Sequence, residues 1–323
     1  LRDLRCGFDP AVQRPIRPVV KRNGPSCHDQ FGEMLKYWDK LRPLGCMSEG
    51  VWNLPAGAVV NAMHCVSRPS DVRRAERDPA FNCPVRVVTD FKASSVNECF
   101  SDWRFRMGGM AQAVRLLSSS TTLSLGSVDI SKFFPRCPAG QVLQQSSWIR
   151  DPRASSSWQG TGPPSAEWLQ WRAHLRRTGQ RVPPFRRWTG VPLGFKLAPA
   201  FACSVSSEMG QMFAALGIRA AIFVDDILIV ADDPVTCAEH IKMVEHIIEW
   251  LGLKVADGKT EGPAPSLKFL GLLLDPQAGQ ITVTPDRAAA ILGDVARLLE
   301  SGSVLVAELE TILGKLGFIA MVC

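Results

Sequence analysis

Ala220-Ala221-Ile222-Phe223-Val224-Asp225-Asp226-Ile227-Leu228-Ile229-Val230-Ala231 sets two adjacent carboxylates inside an apolar run. The flanking residues are β-branched or aromatic, which predicts two short strands with the acid pair at the turn between them. An unpaired carboxylate is costly to desolvate. Acids held at a hairpin tip over an apolar base therefore point to a cation site. Asp also favours solvated turns through its own backbone hydrogen bonds, so the pair alone leaves both readings open.

A second acid stands in a similar setting. Leu125-Gly126-Ser127-Val128-Asp129-Ile130-Ser131-Lys132-Phe133-Phe134 reads as a strand ending near Asp129, then a turn or helix start. Asp129 suits either a helix N-cap or a metal ligand. Hard cations such as Mg²⁺ take oxygen ligands and keep several waters, so two or three carboxylates from separate strands suffice. Two such ions about 3.5–4 Å apart clamp the attacking and leaving oxygens of an in-line phosphoryl displacement. One acid on a strand beside an acid pair on a hairpin is the arrangement nucleotidyl transfer needs.

Other blocks stand in fixed order around these two. Arg86-Val87-Val88-Thr89-Asp90-Phe91-Lys92 runs on to Ser95-Val96-Asn97. Val191-Pro192-Leu193-Gly194-Phe195-Lys196-Leu197-Ala198-Pro199-Ala200-Phe201 precedes the acid pair. Leu251-Gly252-Leu253 leads to Lys259, Leu267-Lys268-Phe269-Leu270-Gly271-Leu272 follows, and Glu308-Leu-Glu-Thr-Ile-Leu-Gly-Lys-Leu-Gly-Phe318 lies last. In this order the blocks resemble the fingers, palm and primer-grip motifs of reverse transcriptases, Phe223 to Asp226 being a Phe variant of the aromatic-x-Asp-Asp box. The resemblance spans 85–320. The Ser-Val-Asn and Gly-Lys-Leu-Gly-Phe pieces are similar to retrotransposons of the DIRS-like and long-terminal-repeat groups.

The resemblance implies an α+β right-hand polymerase fold, with fingers, a palm of antiparallel sheet backed by helices, and a partial thumb. Its divisions are a basic N-terminal extension (1–50), fingers (51–124), a palm strand with the first acid (125–137), an Arg/Trp-rich insertion (138–190), palm (191–275), and partial thumb or connection (276–323). It implies an RNA- or DNA-templated DNA polymerase that uses two Mg²⁺ ions, with Mn²⁺ as a substitute. Asp129, Asp225 and Asp226 are the implied catalytic and metal-binding acids. Lys259 is the implied proton donor to the leaving pyrophosphate. Arg86, Phe134, Pro192, Gly194 and Lys196 are implied contacts of the deoxynucleoside triphosphate. Arg86 would grip phosphates through its planar fork. Phe134 would lie under the sugar and exclude a 2′-hydroxyl, unless Phe133 takes that place and Phe134 packs in the core. The family's Gln stands as Leu193 here, removing one side-chain hydrogen bond. Phe269, Leu270 and Gly271 are the implied primer grip. Partners would be an RNA or DNA template with its primer; the sequence names no protein partner. Other readings are an inactive scaffold that only binds nucleic acid, and an RNA-templated RNA polymerase of palm type.

Composition sits beside this reading. The 323 residues are 46% hydrophobic, enough for a large core and more than one subdomain. The formal net charge is +6. Residues 150–190 hold eight arginines against Asp151 and Glu167, an excess equal to that of the whole chain. Trp158, Trp168, Trp171 and Trp188 interleave with them, as suits phosphate contact with base stacking, or a solvated helix face with Trp in the core. The ten cysteines lack C-x-x-C spacing and read as reduced thiols of an intracellular protein, cytoplasmic or nuclear. Cys27-His28 and His64-Cys65 are half-sites without a suitably spaced complement. No apolar run is long enough to cross a membrane. The start at Leu1 and stop at Cys323 suggest a piece of a polyprotein.

Helices are expected at 31–41, where Tyr37 packs, at 110–117 and at 199–216. The stretch 234–251 carries an apolar stripe of Cys237, Ile241, Val244, Ile247, Ile248 and Leu251. Another helix opens at Thr284-Pro285 and ends at Gly302. A loop is expected over 151–165.

Overall fold

The computed structural model describes residues 4, 7–78, 80–81, 83–105, 108–118, 123–301 and 304–320. Its strands are β1 (Val60–Val66), β2 (Arg86–Asp90), β3 (Ser124–Asp129), β4 (Trp148–Arg150), β5 (Phe185–Arg187), β6 (Arg219–Phe223), β7 (Asp226–Ala231), β8 (Glu261–Ala264), β9 (Leu267–Phe269), β10 (Leu272–Asp275) and β11 (Gln280–Val283). The chain divides into two compact units. One contains 1–104 and 132–201, the other 105–131 and 202–323. These units group the chain differently from the motif divisions. The N-terminal stretch and the Arg/Trp-rich segment join the fingers residues, and 191–201 falls with them.

The first unit is built on a sheet ordered β2-β1-β4-β5. β1 pairs antiparallel with β2 and parallel with β4, and β4 pairs antiparallel with β5. The helix Phe31–Leu41 buries Phe31, Met34, Trp38 and Leu41, spaced three and four residues apart as one helical stripe requires. They pack with Met63, Val87, Ile149, Trp168 and Trp188. Tyr37 is buried there, and desolvation pushes its phenol up to about 12, with the Arg86 charge pulling the other way. The buried Asn61 amide donates to the Ser146 carbonyl at 2.7 Å, and its oxygen accepts from Ser94 Oγ at 2.5 Å.

The second unit holds the antiparallel sheet β6-β7-β3-β8 and the smaller sheet β11-β10-β9. The helix Pro234–Trp250 buries Cys237, Ile241, Val244 and Ile248. It starts at Asp233, whose Oδ1 accepts from the Val235 and Thr236 amides at 2.8 and 2.9 Å. Gly126 sets how close this helix comes. A Cβ at 126 would lie 2.5 Å from Ile241 Cδ1, so a larger residue would force the Ile241 side chain to move. Alternate residues of β3 and β7, Leu125, Leu228 and Val230, face the other way. They pack with Met110, Ala113, Leu267, Phe269, Leu272 and Leu274. The sheet is thus covered on both faces, and each fully buried Leu or Ile contributes about 1.5–3 kcal/mol.

Four expected helices appear close to their read positions, at Phe31–Leu41, Met110–Leu117, Ala198–Ala215 and Pro234–Trp250. The segment 138–190 holds more structure than expected, with β4, β5 and the helix Ala166–Thr178, capped by the Ser165 hydroxyl and ended at Gly179. The helix opening at Thr284-Pro285 also forms, as Pro285–Glu300; the Thr284 side chain does not cap it, and its hydroxyl is 3.4 Å from the Gly271 carbonyl. Gly302 lies outside the described residues.

The charges of the Arg/Trp-rich segment are spent largely inside the first unit. The Asp151 side chain is fully buried between Arg153 and Arg186, each 2.7 Å from Oδ2. Removing one partner of a buried charge cluster strands the others, at a cost of about 3–5 kcal/mol. Asp151→Asn is expected to lower unfolding free energy by that order in urea titration. A loss below about 1 kcal/mol would show that the two arginines find other partners.

Candidate active site

β3 and β7 carry the acids to one place. Their register sets Asp129 directly opposite Asp226 and Val128 opposite Ile227. One residue further, the Ile130 amide donates to the Asp225 carbonyl at 2.9 Å. That makes 130 and 225 the hydrogen-bonded pair. Positions 129 and 226 are then the non-bonded kind, with Cα atoms about 4.5 Å apart and side chains on the same face. Strand alternation puts both acids on the face of Leu125, Leu228 and Val230.

Val224 and Asp225 form the two-residue turn between β6 and β7, where Phe223 pairs with Asp226. Val224 has φ 59°, a positive angle that β-branched residues rarely adopt. Such a conformation costs on the order of 1–3 kcal/mol and persists only where its surroundings impose it. Here the surroundings include the buried Ser206 hydroxyl of the helix Ala198–Ala215. It lies 3.0 Å from the Val224 carbonyl oxygen and 2.8 Å from that of Ala202. Sequence reading does not single out Ser206, which is one of three serines in that helix beside Glu208 and Gln211.

Lys259 reaches the same place. Its Nζ is 2.6 Å from Asp129 Oδ2. The segment that carries it is fastened to the end of β3 by the Ala256 amide on the Asp129 carbonyl at 2.8 Å and the Ser131 amide on the Lys254 carbonyl at 2.7 Å. A cavity of about 230 Å³ adjoins, lined by Asp129, Asp226, Lys259, Glu261, Lys268 and Leu270 among others. The donors offered here are hard carboxylate oxygens, the chemistry Mg²⁺ prefers, and Mg²⁺ commonly needs only one or two carboxylates plus substrate phosphates. Among the described residues no cluster of three or more His, Cys, Asp or Glu side chains stands ready as a complete metal cage.

The turn between β9 and β10 consists of Leu270 and Gly271, with φ 50° and 78°. Both positive, these fit the primed turn that closes a two-residue hairpin. Phe269 is buried in the core, so of the three expected primer-grip residues only Leu270 and Gly271 form the tip. Arg287 donates to the Leu270 carbonyl and stacks over the Phe318 ring at 4.6 Å, tying the tip to both C-terminal helices, Pro285–Glu300 and Val306–Ala320.

The other expected site residues lie in the first unit. Of the two adjacent rings, Phe133 is buried and Phe134 is half-buried, which leaves Phe134 as the one able to meet a ligand. Arg86 is exposed at the start of β2. Three others already have contacts within this unit. Pro192 is buried. Gly194, φ 99°, is needed for its approach to the unit's own β2, where an added Cβ would collide with the Thr89 carbonyl. Lys196 pairs with the exposed Asp102 at 3.0 Å. Asp90 accepts from the Lys92 and Ala93 amides at 3.0 and 2.8 Å, and its Oδ2 lies 3.5 Å from His64 Nε2. Trp168 and Trp188 are core residues and cannot stack on bases.

The two half-sites do meet, through sulfur alone. The Cys27 thiol donates to the Met63 carbonyl at 3.1 Å, and the neighbouring Cys65 together with burial drives its pKa far up. The imidazoles turn elsewhere, His28 against Trp158 and His64 toward Asp90.

Residues 127–274 match the family model described as reverse transcriptase (RNA-dependent DNA polymerase). No curated protein sequence matches the chain. Among solved structures, a foamy viral protease-reverse transcriptase in complex with double-stranded DNA matches with a TM-score of 0.61 and 17% identity, over 96% of this chain and 44% of that one. A foamy viral protease-reverse transcriptase in complex with an RNA/DNA hybrid gives a TM-score of 0.58 at 16% identity, over 95% of this chain and 33% of that one. The chain thus spans less than half the length of these two relatives. The acid register and the sequence match fall on the same stretch, 127–274, and the whole chain has the right-hand polymerase fold shared with these solved structures.

Proposed function

We propose that the chain is the polymerase portion of a retroelement reverse transcriptase, adding deoxynucleotides to a primer 3′-hydroxyl on an RNA or DNA template. The observation that carries this is the direct opposition of Asp129 and Asp226 across β3 and β7, with Asp225 in the adjoining turn. The solved relatives were captured with double-stranded DNA and with an RNA/DNA hybrid, which supports a nucleic-acid duplex as the ligand of this chain also. A DIRS-like or long-terminal-repeat origin, and an intracellular setting, belong to the same proposal.

Asp129, Asp225 and Asp226 are the acids that would hold two Mg²⁺ ions. Bound there, the ions would activate the primer hydroxyl and neutralise charge on the triphosphate. The protein's own contributions are positional. The antiparallel register fixes the spacing of Asp129 and Asp226. The Val224 turn holds Asp225 next to them. Leu270 and Gly271 form a hairpin tip tied down by Arg287, suited to a primer strand. Lys259 supplies an ammonium beside Asp129, able to give a proton to departing pyrophosphate. Arg86 would take phosphate oxygens in its fork, and the half-buried Phe134 ring would bar a 2′-hydroxyl.

Two measurements test this. Primer extension on poly-rA/oligo-dT is expected to require Mg²⁺ and to vanish with Asp225→Asn. Equal incorporation by both proteins would remove the catalytic assignment, and no incorporation by either would favour an inactive nucleic-acid-binding scaffold. Phe134→Ala is expected to shift the kcat/KM ratio toward ribonucleotides by at least about tenfold, the scale of one lost steric exclusion. An unchanged ratio would return Phe134 to a packing role, and strong ribonucleotide use by the unaltered protein would favour an RNA polymerase.

A further inference from the structure

We propose that Lys259 is a resident counter-ion of the acid pair. Its ammonium occupies Asp129 before a divalent ion arrives, and metal entry must displace it. The inference rests on the acid site described above and concerns how that site is kept between metal-bound states.

Two carboxylates directly opposed across adjacent strands repel each other, and a cation between or beside them relieves that repulsion. The structure supplies one, with Lys259 Nζ 2.6 Å from Asp129 Oδ2. The delivery is built into the backbone. Ala256 and Ser131 amides tie the turn to the end of β3, and the Lys259 amide donates to the Ala256 carbonyl at 3.2 Å. Of the two lysines in this turn, Lys254 pairs with Asp257 at 2.9 Å, while Lys259 reaches across to the acid. The Lys259 side chain is 62% exposed against 22% for Asp129. A flexible, solvated ammonium can swing off the carboxylate without unpacking anything, whereas the carboxylate stays fixed on its strand. One group is thus mobile and the other anchored, as a displaceable counter-ion requires. Once displaced, the ammonium stays tethered close by, where the proposed reaction needs a proton donor.

The test is Mn²⁺ binding to the metal-free chain without nucleic acid, read from the electron paramagnetic resonance signal of free Mn²⁺. Lys259→Gln is expected to tighten Mn²⁺ about twofold to fivefold, the scale of an exposed ion pair, with the gain shrinking at high salt. Lys259→Arg, which keeps a cation there, is expected to bind as the unaltered chain does. Asp129→Asn is expected to weaken binding and to erase the difference between Lys and Gln at 259. Lys268→Gln alters a cavity lysine on another element and is expected to change affinity less.

Equal, weaker or absent Mn²⁺ binding by Lys259→Gln would overturn the proposal. So would an equal gain from Lys268→Gln, or a gain that survives in Asp129→Asn. Because no polymerisation is involved, failed primer extension alongside the expected Mn²⁺ pattern would reject the polymerase reading and uphold the counter-ion. Normal extension with unchanged Mn²⁺ affinity would do the reverse.

Discussion

Carboxylates do not gather by themselves. Each would rather face water, and two brought together repel. In this chain the pairing of β3 with β7 forces them together, because Asp129 and Asp226 occupy the same rung of one antiparallel ladder. The rest of the second unit holds that rung in place. A slip of one residue would turn every side chain of β3 over, sending Leu125 to the helix face and Gly126 to the face now filled by Met110 and Phe269. The helix Pro234–Trp250 would then meet Leu125 where Ile241 now sits close against Gly126. Register, core and acid spacing are therefore one constraint seen at three places.

This constraint was readable in the sequence because the residues that set it are local and apolar. The runs 125–130 and 220–231 announce strands by their β-branched content, and the acids break those runs at the ends that meet. The stripe of the helix Pro234–Trp250 was legible for the same reason. The turn at 270–271 was marked by Gly271, although Leu270, also at positive φ, carried no such mark. The family's pattern then supplied what periodicity could not, namely that acids about a hundred residues apart belong together.

Polar assignments fared differently, and the reason is physical. A charged side chain names its chemistry but not its partner, which in the fold comes from far along the chain. Asp151 takes Arg186, Lys196 takes Asp102, and Asp90 takes His64 and two nearby amides. Arginines counted as a basic face are divided among such bonds and aromatic rings, with Arg150 over Phe185, Arg172 over Trp168 and Arg187 over Trp148. Gly194 shows the same limit for backbone. The sequence does not reveal that its positive φ serves a close contact with β2, where the Thr89 amide also donates to the Leu193 carbonyl at 2.9 Å.

Val224 shows how the apolar frame supports what it could not have formed alone. Glycine would adopt the first position of this turn without strain, yet a β-branched residue stands there at φ 59°. The unfavourable conformation is offset by the strands on either side, whose Ile222, Ile227, Leu228 and Ile229 are buried, and by Ser206 at the Val224 carbonyl. The consequence concerns Asp225. Glycine at the neighbouring position would open other backbone angles, and the carboxylate would wander with them. A residue that tolerates few conformations, clamped in one of them, confines the acid beside it. The strain is then the reason the third carboxylate has a fixed place relative to the pair across the ladder, which is what a site assembled from short, solvated side chains at a hairpin tip most needs.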